Sequence, residues 1–236
     1  NFFESRHVPL KIERGNRVFP ESDRASDIVD ALFFAAKHGG VDIVNGRAKE
    51  LIIEGGKVRG AILYSGERIY SDRVIVATGG KSYPRTGSTG DGYELARQAG
   101  HTVTPIKPSL VPLEAHEGFC SRLQGLSLRN VSITVEDTKT GKNIYSDFGE
   151  MLFTHFGVSG PMILSASSHM RQMERGRYRI VIDLKPALSE QQLDARVLRD
   201  FNENNNRNFM NALNFLLPKK LVPVIVSLSG IPMDTK

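Results

Sequence analysis

The sequence contains a single cysteine, Cys120, so an internal disulfide cannot form. One cysteine also fits a reducing cytoplasm, which is the localisation we expect. Zinc is disfavoured on similar grounds, because the one cluster of candidate ligands, at residues 116–120, lacks a second pair. We therefore predict no metal site.

Long apolar runs are absent as well. No stretch of about 18 consecutive apolar residues occurs, so we predict no membrane span and no membrane partner. Repeats and low-complexity tracts are missing, and a hydrophobic content of 40% is that of an ordinary globular protein. The net charge of +5 permits contact with nucleic acid. No basic run is interleaved with aromatic residues, however, so nucleic acid is disfavoured as a partner.

Two nucleotide-binding motifs are also missing. The GxGxxG spacing, by which a strand–turn–helix unit grips the pyrophosphate of a dinucleotide, occurs nowhere in the 236 residues. Gly80-Lys81-Ser82 imitates the end of a P-loop, but Ile75 stands where that motif requires its first glycine. The sequence therefore argues against a nucleoside triphosphatase.

The most informative stretch that is present runs from residue 74 to residue 100. An apolar segment at 74–77 predicts a strand that leads directly into Thr78-Gly79-Gly80. A glycine-rich loop follows, and residues 89–92 open an amphipathic helix that ends at Gly100. Glycine lets the backbone approach a ligand closely, and a helix start favours a phosphate. This order predicts a place where a dinucleotide lies against backbone.

The remaining periodicities predict a helix and a β-meander before this stretch, and a mostly β module followed by helices after it. The first part comprises a helix over 22–39 and strands at 41–44, 49–54, 57–64, 67–70 and 73–77. Three prolines between residues 105 and 112 predict an extended crossing between domains. Beyond them we predict strands at 126–136, 149–156 and 177–184, and helices at 158–170, from Ser189 onward, at 209–217 and at 219–227.

Six motif blocks in this order connect the chain to a known family. They are residues 15–20 with Ser22-Asp23, then 77–84, 86–93, 108–113, 123–131 and 153–161. With these blocks the chain resembles the bacterial NAD(P)/FAD-dependent oxidoreductases that carry an inserted β-barrel and helical domain. The aminoacetone oxidase-like and BaiN-like flavoproteins belong to that family.

The resemblance implies an α+β fold with three parts. A partial FAD-binding domain, Rossmann-like and of the glutathione-reductase type, would span residues 1–110. An inserted β-barrel-like module would span 111–185, and a small helical subdomain 186–236. The family's opening GxGxxG unit and its closing glycine-rich segment are both absent. We therefore expect an internal fragment of an FAD-dependent oxidoreductase, inactive alone and weak or lacking in FAD binding, with NAD(P)H as a candidate electron donor of the parent.

The resemblance also implies which residues contact FAD. Eight are expected to do so: Ala48, Thr78, Gly79, Gly80, Thr89, Gly90, Asp91 and Gly92. Two structural alternatives stay open. The first glycine pair fits an ordinary turn at a strand end. Residues 89–92 fit a helix cap with Asp91 in the first turn, which the helix dipole favours in any case.

The catalytic residues are unknown from the sequence, with His155 and Tyr83 as candidates. His155 could move a proton or bind a carboxylate beside a flavin, or it could simply pack between domains. Tyr83 could cover the flavin or the substrate, or it could fill a domain junction. Cys120 has no CxxC partner, which disfavours a redox dithiol.

Three functions stay open at this point. The first is an FAD-dependent oxidoreductase acting on a small molecule, for which an amine, a steroid-like enone or a reduced nicotinamide is compatible. The second is a flavin-linked protein that binds or modifies RNA. The third is a structural module with no activity of its own. The substrate and the oligomeric state cannot be deduced from the sequence.

Overall fold

The chain divides between Ile106 and Lys107 into two units, each of mixed helix and strand. The computed structural model describes residues 2–13 and 16–235, so Gly15, the first residue of the first motif block, lies outside the described residues. The division falls inside the proline-containing segment, where no regular element occurs between Gly100 and Leu113. The three-part boundaries drawn from the sequence stay a prediction.

Within residues 2–13 and 16–106, the first unit contains two small antiparallel sheets and two helices. Its elements are β1 (Leu10–Glu13), β2 (Arg17–Pro20), α1 (Ala25–His38), β3 (Ala48–Glu54), β4 (Lys57–Leu63), β5 (Arg68–Tyr70) and α2 (Asp91–Gln98), with short 3-10 turns at Glu4–Arg6 and Pro84–Thr86. Strands β1 and β2 form one sheet, and β3, β4 and β5 form the other in that order.

The predicted helix over 22–39 and the predicted strands at 49–54 and 57–64 are confirmed. Gly55 and Gly56, which join β3 to β4, have φ angles of 57° and 75°. Two successive residues in the left-handed region match the right-handed twist of the flanking strands, and glycine adopts this conformation without a steric penalty. The sequence pattern therefore identified both strands, and the glycine pair forms the turn between them.

Two predicted strands are wrong. Residues 41–44 and 73–77 form no strand and pair with no other segment among residues 2–13 and 16–235. Ile75 is 92% exposed, and Val41, Ile43, Val44 and Val76 are exposed as well. Apolar periodicity indicates which residues suit a strand, but a strand needs a hydrogen-bonding neighbour to form.

The second unit contains one larger sheet and five helices among the residues the structure describes. Its elements are β6 (Leu113–Glu114), α3 (Phe119–Arg122), β7 (Ser127–Asp137), β8 (Lys142–Phe153), β9 (Gly157–Ser159), α4 (Pro161–His169), β10 (Tyr178–Asp183), α5 (Glu190–Glu203), α6 (Phe209–Ala212) and α7 (Val222–Ser229), with a 3-10 turn at Leu213–Phe215. The sheet is antiparallel with strand order β10-β7-β8-β9-β6.

The core of the second unit lies between this sheet and helix α4. Leu128, Val131, Ile133 and Val135 of β7 are buried, as the alternating sequence pattern predicts for one face of a strand. Ile163 of α4 packs against them without measurable exposure. Burying one such aliphatic side chain contributes about 1.5–3 kcal/mol. This cluster holds together the unit that carries His155.

The C-terminal helices form a small second cluster. Ser189 begins α5 with a capping box, because its hydroxyl accepts from the Gln192 backbone N–H while the Gln192 side chain accepts from the Ser189 N–H. Leu213 of the 3-10 turn packs with Val222 and Val226 of α7, and all three side chains are buried. Among the described residues, no helix is long and apolar enough to cross a membrane.

Candidate cofactor site

The glycine loop has left-handed backbone at three glycines, Gly79, Gly87 and Gly90. Gly79 has a φ of 73° and Gly90 a φ of 89°, both in the left-handed region that other residues seldom occupy. A Cβ at Gly79 would lie 3.3 Å from the Ser88 hydroxyl oxygen, so the two ends of the loop are close together. The loop thus folds back on itself before α2 begins.

Helix α2 packs closely against the segment that leads into the loop. A Cβ at Gly92 would lie only 2.6 Å from Thr78 Oγ1 and 3.2 Å from a Val76 methyl carbon. A Cβ at Gly80 would lie 3.5 Å from the Tyr93 hydroxyl. The packing of α2 against Val76 and Thr78 therefore leaves no room for a side chain at position 92, whether or not a cofactor binds there.

The start of α2 carries no capping side chain. Gly90 is the N-cap residue, and no side-chain oxygen bonds to the first turn from that position. The Lys81 side chain lies against Gly90, because its Cδ would be 3.3 Å from a Cβ at that position. Uncapped helix N–H groups and the cationic side chain of Lys81 together favour an anion.

Asp91, the first residue of α2, is fully engaged by its own chain. Arg47 donates from Nε to Oδ2 at 2.7 Å and from its terminal nitrogen to Oδ1 at 2.8 Å. The Thr89 hydroxyl donates to Oδ1 at 2.8 Å. The Arg47 bonds, with that of Thr89, lower the pKa of Asp91 to about 2. The carboxylate is thus ionised and neutralised, which leaves no uncompensated negative charge at the helix start.

Arg47 also fixes α2 relative to β3. It directly precedes Ala48, the first residue of β3, and its guanidinium lies 5.0 Å from the Tyr64 ring centre. At the other end of the helix, the Gln98 side chain accepts from the Leu51 N–H and donates to the Lys49 carbonyl. Both ends of α2 are therefore tied to one edge of β3.

These contacts bring the eight sequence-predicted cofactor residues into one part of the first unit. Ala48 joins them through its neighbour Arg47, and the rest belong to the loop and the helix start. Sequence reasoning missed Arg47 and Lys81. Nothing in the local pattern marks Arg47, whose partner Asp91 is 44 residues away. Lys81 lies in the rejected P-loop imitation and in the motif block 77–84, but neither pattern predicted it as a cofactor residue.

The two catalytic candidates lie on exposed positions of different units. Tyr83 belongs to the first unit, where its carbonyl accepts from the Thr86 N–H and hydroxyl. His155 lies in the second unit, in the short connection between β8 and β9, with its ring edge-on to Phe156 at 4.9 Å. The candidates are therefore carried by separate units.

Cys120, the single cysteine of the sequence, is buried at the start of α3. Burial, with a smaller contribution from Glu117, raises the pKa of its thiol. A neutral buried thiol is a poor nucleophile, which agrees with the absence of a dithiol motif. Among residues 2–13 and 16–235, no group of three His, Cys, Asp or Glu side chains is placed to hold a metal ion.

Family comparisons match the whole chain. Residues 1–169 match the HI0933-like protein Rossmann domain, and residues 107–236 match the HI0933-like protein barrel and H2TH domain. These matches confirm the predicted fold class, a Rossmann-like domain with a barrel module and helices, and they confirm the family resemblance.

Three relatives are similar over most of the chain. A 3-dehydro-bile acid delta(4,6)-reductase of Clostridium scindens is 29% identical over 98% of the chain and 56% of its own length. Ribosomal RNA dihydrouridine synthases of Escherichia coli and Haemophilus influenzae are 30% and 34% identical, over 89% and 75% of the chain and 50% and 41% of their own lengths. The chain thus spans about half the length of the relatives it matches.

Proposed function

Because the chain belongs to the HI0933-like family, we propose that it is part of an FAD-dependent oxidoreductase. Its first unit would carry part of the FAD site, and its second unit would face the substrate. The observation that supports this best is the contact between the glycine loop and the start of α2, shown by the closeness of Gly92 to Thr78. Bound flavin would supply hydride transfer, for which the protein provides binding, orientation and exclusion of water.

The residues present fit an anionic dinucleotide. Gly79 and Gly90 expose backbone without a side chain, and the N–H groups of the first turn of α2 lack a side-chain cap. Lys81 adds a positive charge beside Gly90. Arg47 neutralises Asp91, so the carboxylate at the helix start does not repel a pyrophosphate. The chain would therefore bind the phosphates through backbone and Lys81.

The names of the relatives suggest the class of reaction. By name, one reduces the 4,6 double bonds of a 3-dehydro-bile acid, and the others form dihydrouridine, which is uridine with one ring double bond reduced. Both reactions add two hydrogens to a double bond conjugated with a carbonyl. We take a small molecule with such a double bond as the first candidate substrate and NAD(P)H as the donor. The single buried Cys120 fits a reducing cytoplasm.

A second candidate substrate is RNA. The composition disfavoured nucleic acid, because no basic run is interleaved with aromatics. Two relatives at 30% and 34% identity nevertheless carry the name ribosomal RNA dihydrouridine synthase. Because of that similarity, a uracil ring in RNA is a second candidate substrate for reduction, in addition to a small conjugated ketone.

The visible spectrum of the full-length parent tests the proposal. We expect flavin absorbance in the purified protein and bleaching under anaerobic conditions when NADH or NADPH is added. Reoxidation by a steroid-like enone, compared with a uridine-containing RNA, then separates the two substrate classes. A parent that neither contains FAD nor takes it up would contradict the proposal.

Variants of the full-length parent test the two catalytic candidates. We expect His155→Asn or Tyr83→Phe to slow reoxidation by the substrate if the residue transfers a proton there. Bleaching by the donor should stay at the unmodified rate in the same variant, since that half-reaction does not involve the substrate. A variant that changes neither half-reaction removes its residue from the list of candidates.

A further inference from the structure

Two segments of the second unit lie side by side on its surface. The Lys107 ammonium donates to the Arg171 carbonyl at 3.2 Å, and the Arg175 guanidinium contacts His116 Nδ1 at 3.4 Å. Between these contacts, the Val111 N–H donates to the buried hydroxyl of Ser167 at 2.9 Å. Residues 107–116 are thereby held along the loop that connects α4 to β10.

Three cations of this region have acidic partners. Lys139 binds Glu174, and Arg177 pairs with Asp137 at 3.0 Å. Arg179, on β10, pairs with Glu136 of the neighbouring strand. In each pair a carboxylate compensates the charge of the cation.

Three cations differ from this pattern. Lys107, Arg171 and Arg175 are exposed, and none forms an ion pair with a carboxylate in the part of the chain that the structure describes. Glu114 and Glu117 are the acidic residues on the neighbouring segment. Three cations against these two carboxylates leave a local excess of positive charge.

His116 contributes a hydrogen-bond donor to the same surface. A guanidinium only donates, so His116 Nδ1 must accept from Arg175. In the neutral ring the proton then resides on Nε2. We call Lys107, His116, Arg171 and Arg175 the basic surface. It presents two arginine forks, one ammonium and one ring N–H.

We propose that the basic surface binds the phosphate backbone of RNA. The arginine forks match the oxygens of a phosphate in pairs. The bond from Lys107 to the Arg171 carbonyl and the contact of Arg175 with His116 hold the two segments together. RNA is the partner that fits, because two relatives act by name on ribosomal RNA and the charges are confined to loops that a polyanion can follow. The inference rests on the second substrate class proposed above and gives it a binding surface.

Salt-dependent RNA binding by the 236-residue chain tests this surface. The probe is a fluorescently labelled uridine-containing RNA hairpin with a single-stranded loop, measured by anisotropy between 50 and 200 mM salt (about the range where phosphate contacts are resolved). The test variant is Arg171→Ala with Arg175→Ala. The charge-matched control is Lys142→Ala with Lys219→Ala, two exposed lysines of the same unit.

We expect weaker binding by the arginine variant and a shallower dependence of log affinity on log salt, by about 1.4 for two lost contacts to a single strand. The control variant should keep the slope of the unmodified chain, and Arg171→Lys with Arg175→Lys should restore most of it. Equal slopes for the arginine variant and the control overturn the proposal, as does preference for phosphatidylserine vesicles over RNA. The measurement needs no flavin. If the parent contains FAD but the chain does not bind RNA, the proposed RNA-binding surface is rejected and the oxidoreductase assignment is unaffected.

Discussion

Arg47 and Asp91 form a two-pronged ion pair, with Nε to Oδ2 at 2.7 Å and the second nitrogen to Oδ1 at 2.8 Å. The pair connects the residue before β3 to the first residue of α2 across 44 positions of sequence. A planar fork fixes the orientation as well as the distance of its partner. The start of α2, and with it the end of the glycine loop, is therefore held in place by one side chain.

The first prediction concerns this pair. Arg47→Ala should lower the melting temperature of the chain by a few degrees, and Arg47→Lys should not restore it fully, because an ammonium cannot bind both carboxylate oxygens in the same way. Arg97→Ala is the matched control, since it removes an arginine that bonds only Glu94 on the exposed side of α2. Equal decreases in melting temperature for Arg47→Ala and Arg97→Ala, measured by differential scanning fluorimetry, would show that the Arg47–Asp91 pair stabilises the chain no more than the exposed Arg97–Glu94 pair does.

The pH dependence of the same pair gives a second prediction. The folded-state pKa of Asp91 is lowered to about 2, against an unfolded value of about 3.9. Its stabilising contribution is therefore complete above the unfolded value and is lost as the pH falls through the folded value. The difference in melting temperature between the unmodified chain and Asp91→Asn should be constant from pH 8 to pH 5 and should shrink below about pH 4. A difference that grows on acidification would contradict this assignment.

The glycine loop gives a third prediction, made in the full-length parent. Gly79→Val and Gly90→Val should abolish flavin retention, because branched side chains block the approach of the cofactor to backbone. Gly87→Val is the control, since Gly87 has a φ of 99° in the same loop and open space around it. It should lose stability through strain yet keep its flavin. Cys120→Ala should also keep the flavin.

Gel filtration with absorbance at two wavelengths separates strain from cofactor contact. The quantity to compare is the flavin-to-protein ratio of the folded fraction. A ratio near that of the unmodified parent in both Gly79→Val and Gly90→Val would show that these residues only form the turn, which is the alternative that the sequence left open.

A fourth prediction concerns the edge of the larger sheet. A Cβ at Gly157 would lie 2.2 Å from the Leu113 carbonyl oxygen and 2.5 Å from the Ala115 nitrogen. Gly157→Ala should therefore separate β6 from β9 and cost about 2 kcal/mol of unfolding free energy, as overpacking commonly does. Gly118→Ala is the control, because Gly118 has a φ of −61° and no neighbour near its Cβ position. In urea unfolding followed by circular dichroism, Gly118→Ala should have the unfolding free energy of the unmodified chain or slightly more.

Local patterns predicted the elements that carry their own information. Ser189 and Gln192 form a capping box at the start of the helix predicted from Ser189 onward, and Gly55-Gly56 joins the strands predicted at 49–54 and 57–64. The alternation from Leu128 to Val135 identified the buried face of β7. In each of these cases the determining contacts lie within a few residues or follow a fixed period.

Contacts between distant residues could not be predicted in this way. The bond from Arg47 to Asp91 depends on how β3 and α2 pack, which no local pattern encodes. The strand prediction at residues 73–77 was wrong for a related reason, since its apolar residues suit a strand but no neighbour pairs with them within the described residues. The basic surface was likewise invisible, because Lys107 and Arg171 are 64 positions apart.

The unpaired segment at residues 73–77 also affects how the chain behaves in solution. Its central residues 74–76 are β-branched and apolar, its backbone hydrogen-bonding groups meet no partner strand, and Ile75 projects into solvent. Such a segment is a template for intermolecular strand pairing and amyloid-like aggregation. We expect the isolated chain to aggregate on concentration from this segment, with a rise in light scattering that Ile75→Lys delays while the second unit keeps its circular dichroism signal. Charge placed on one exposed side chain would then act as a gatekeeper against fibril formation.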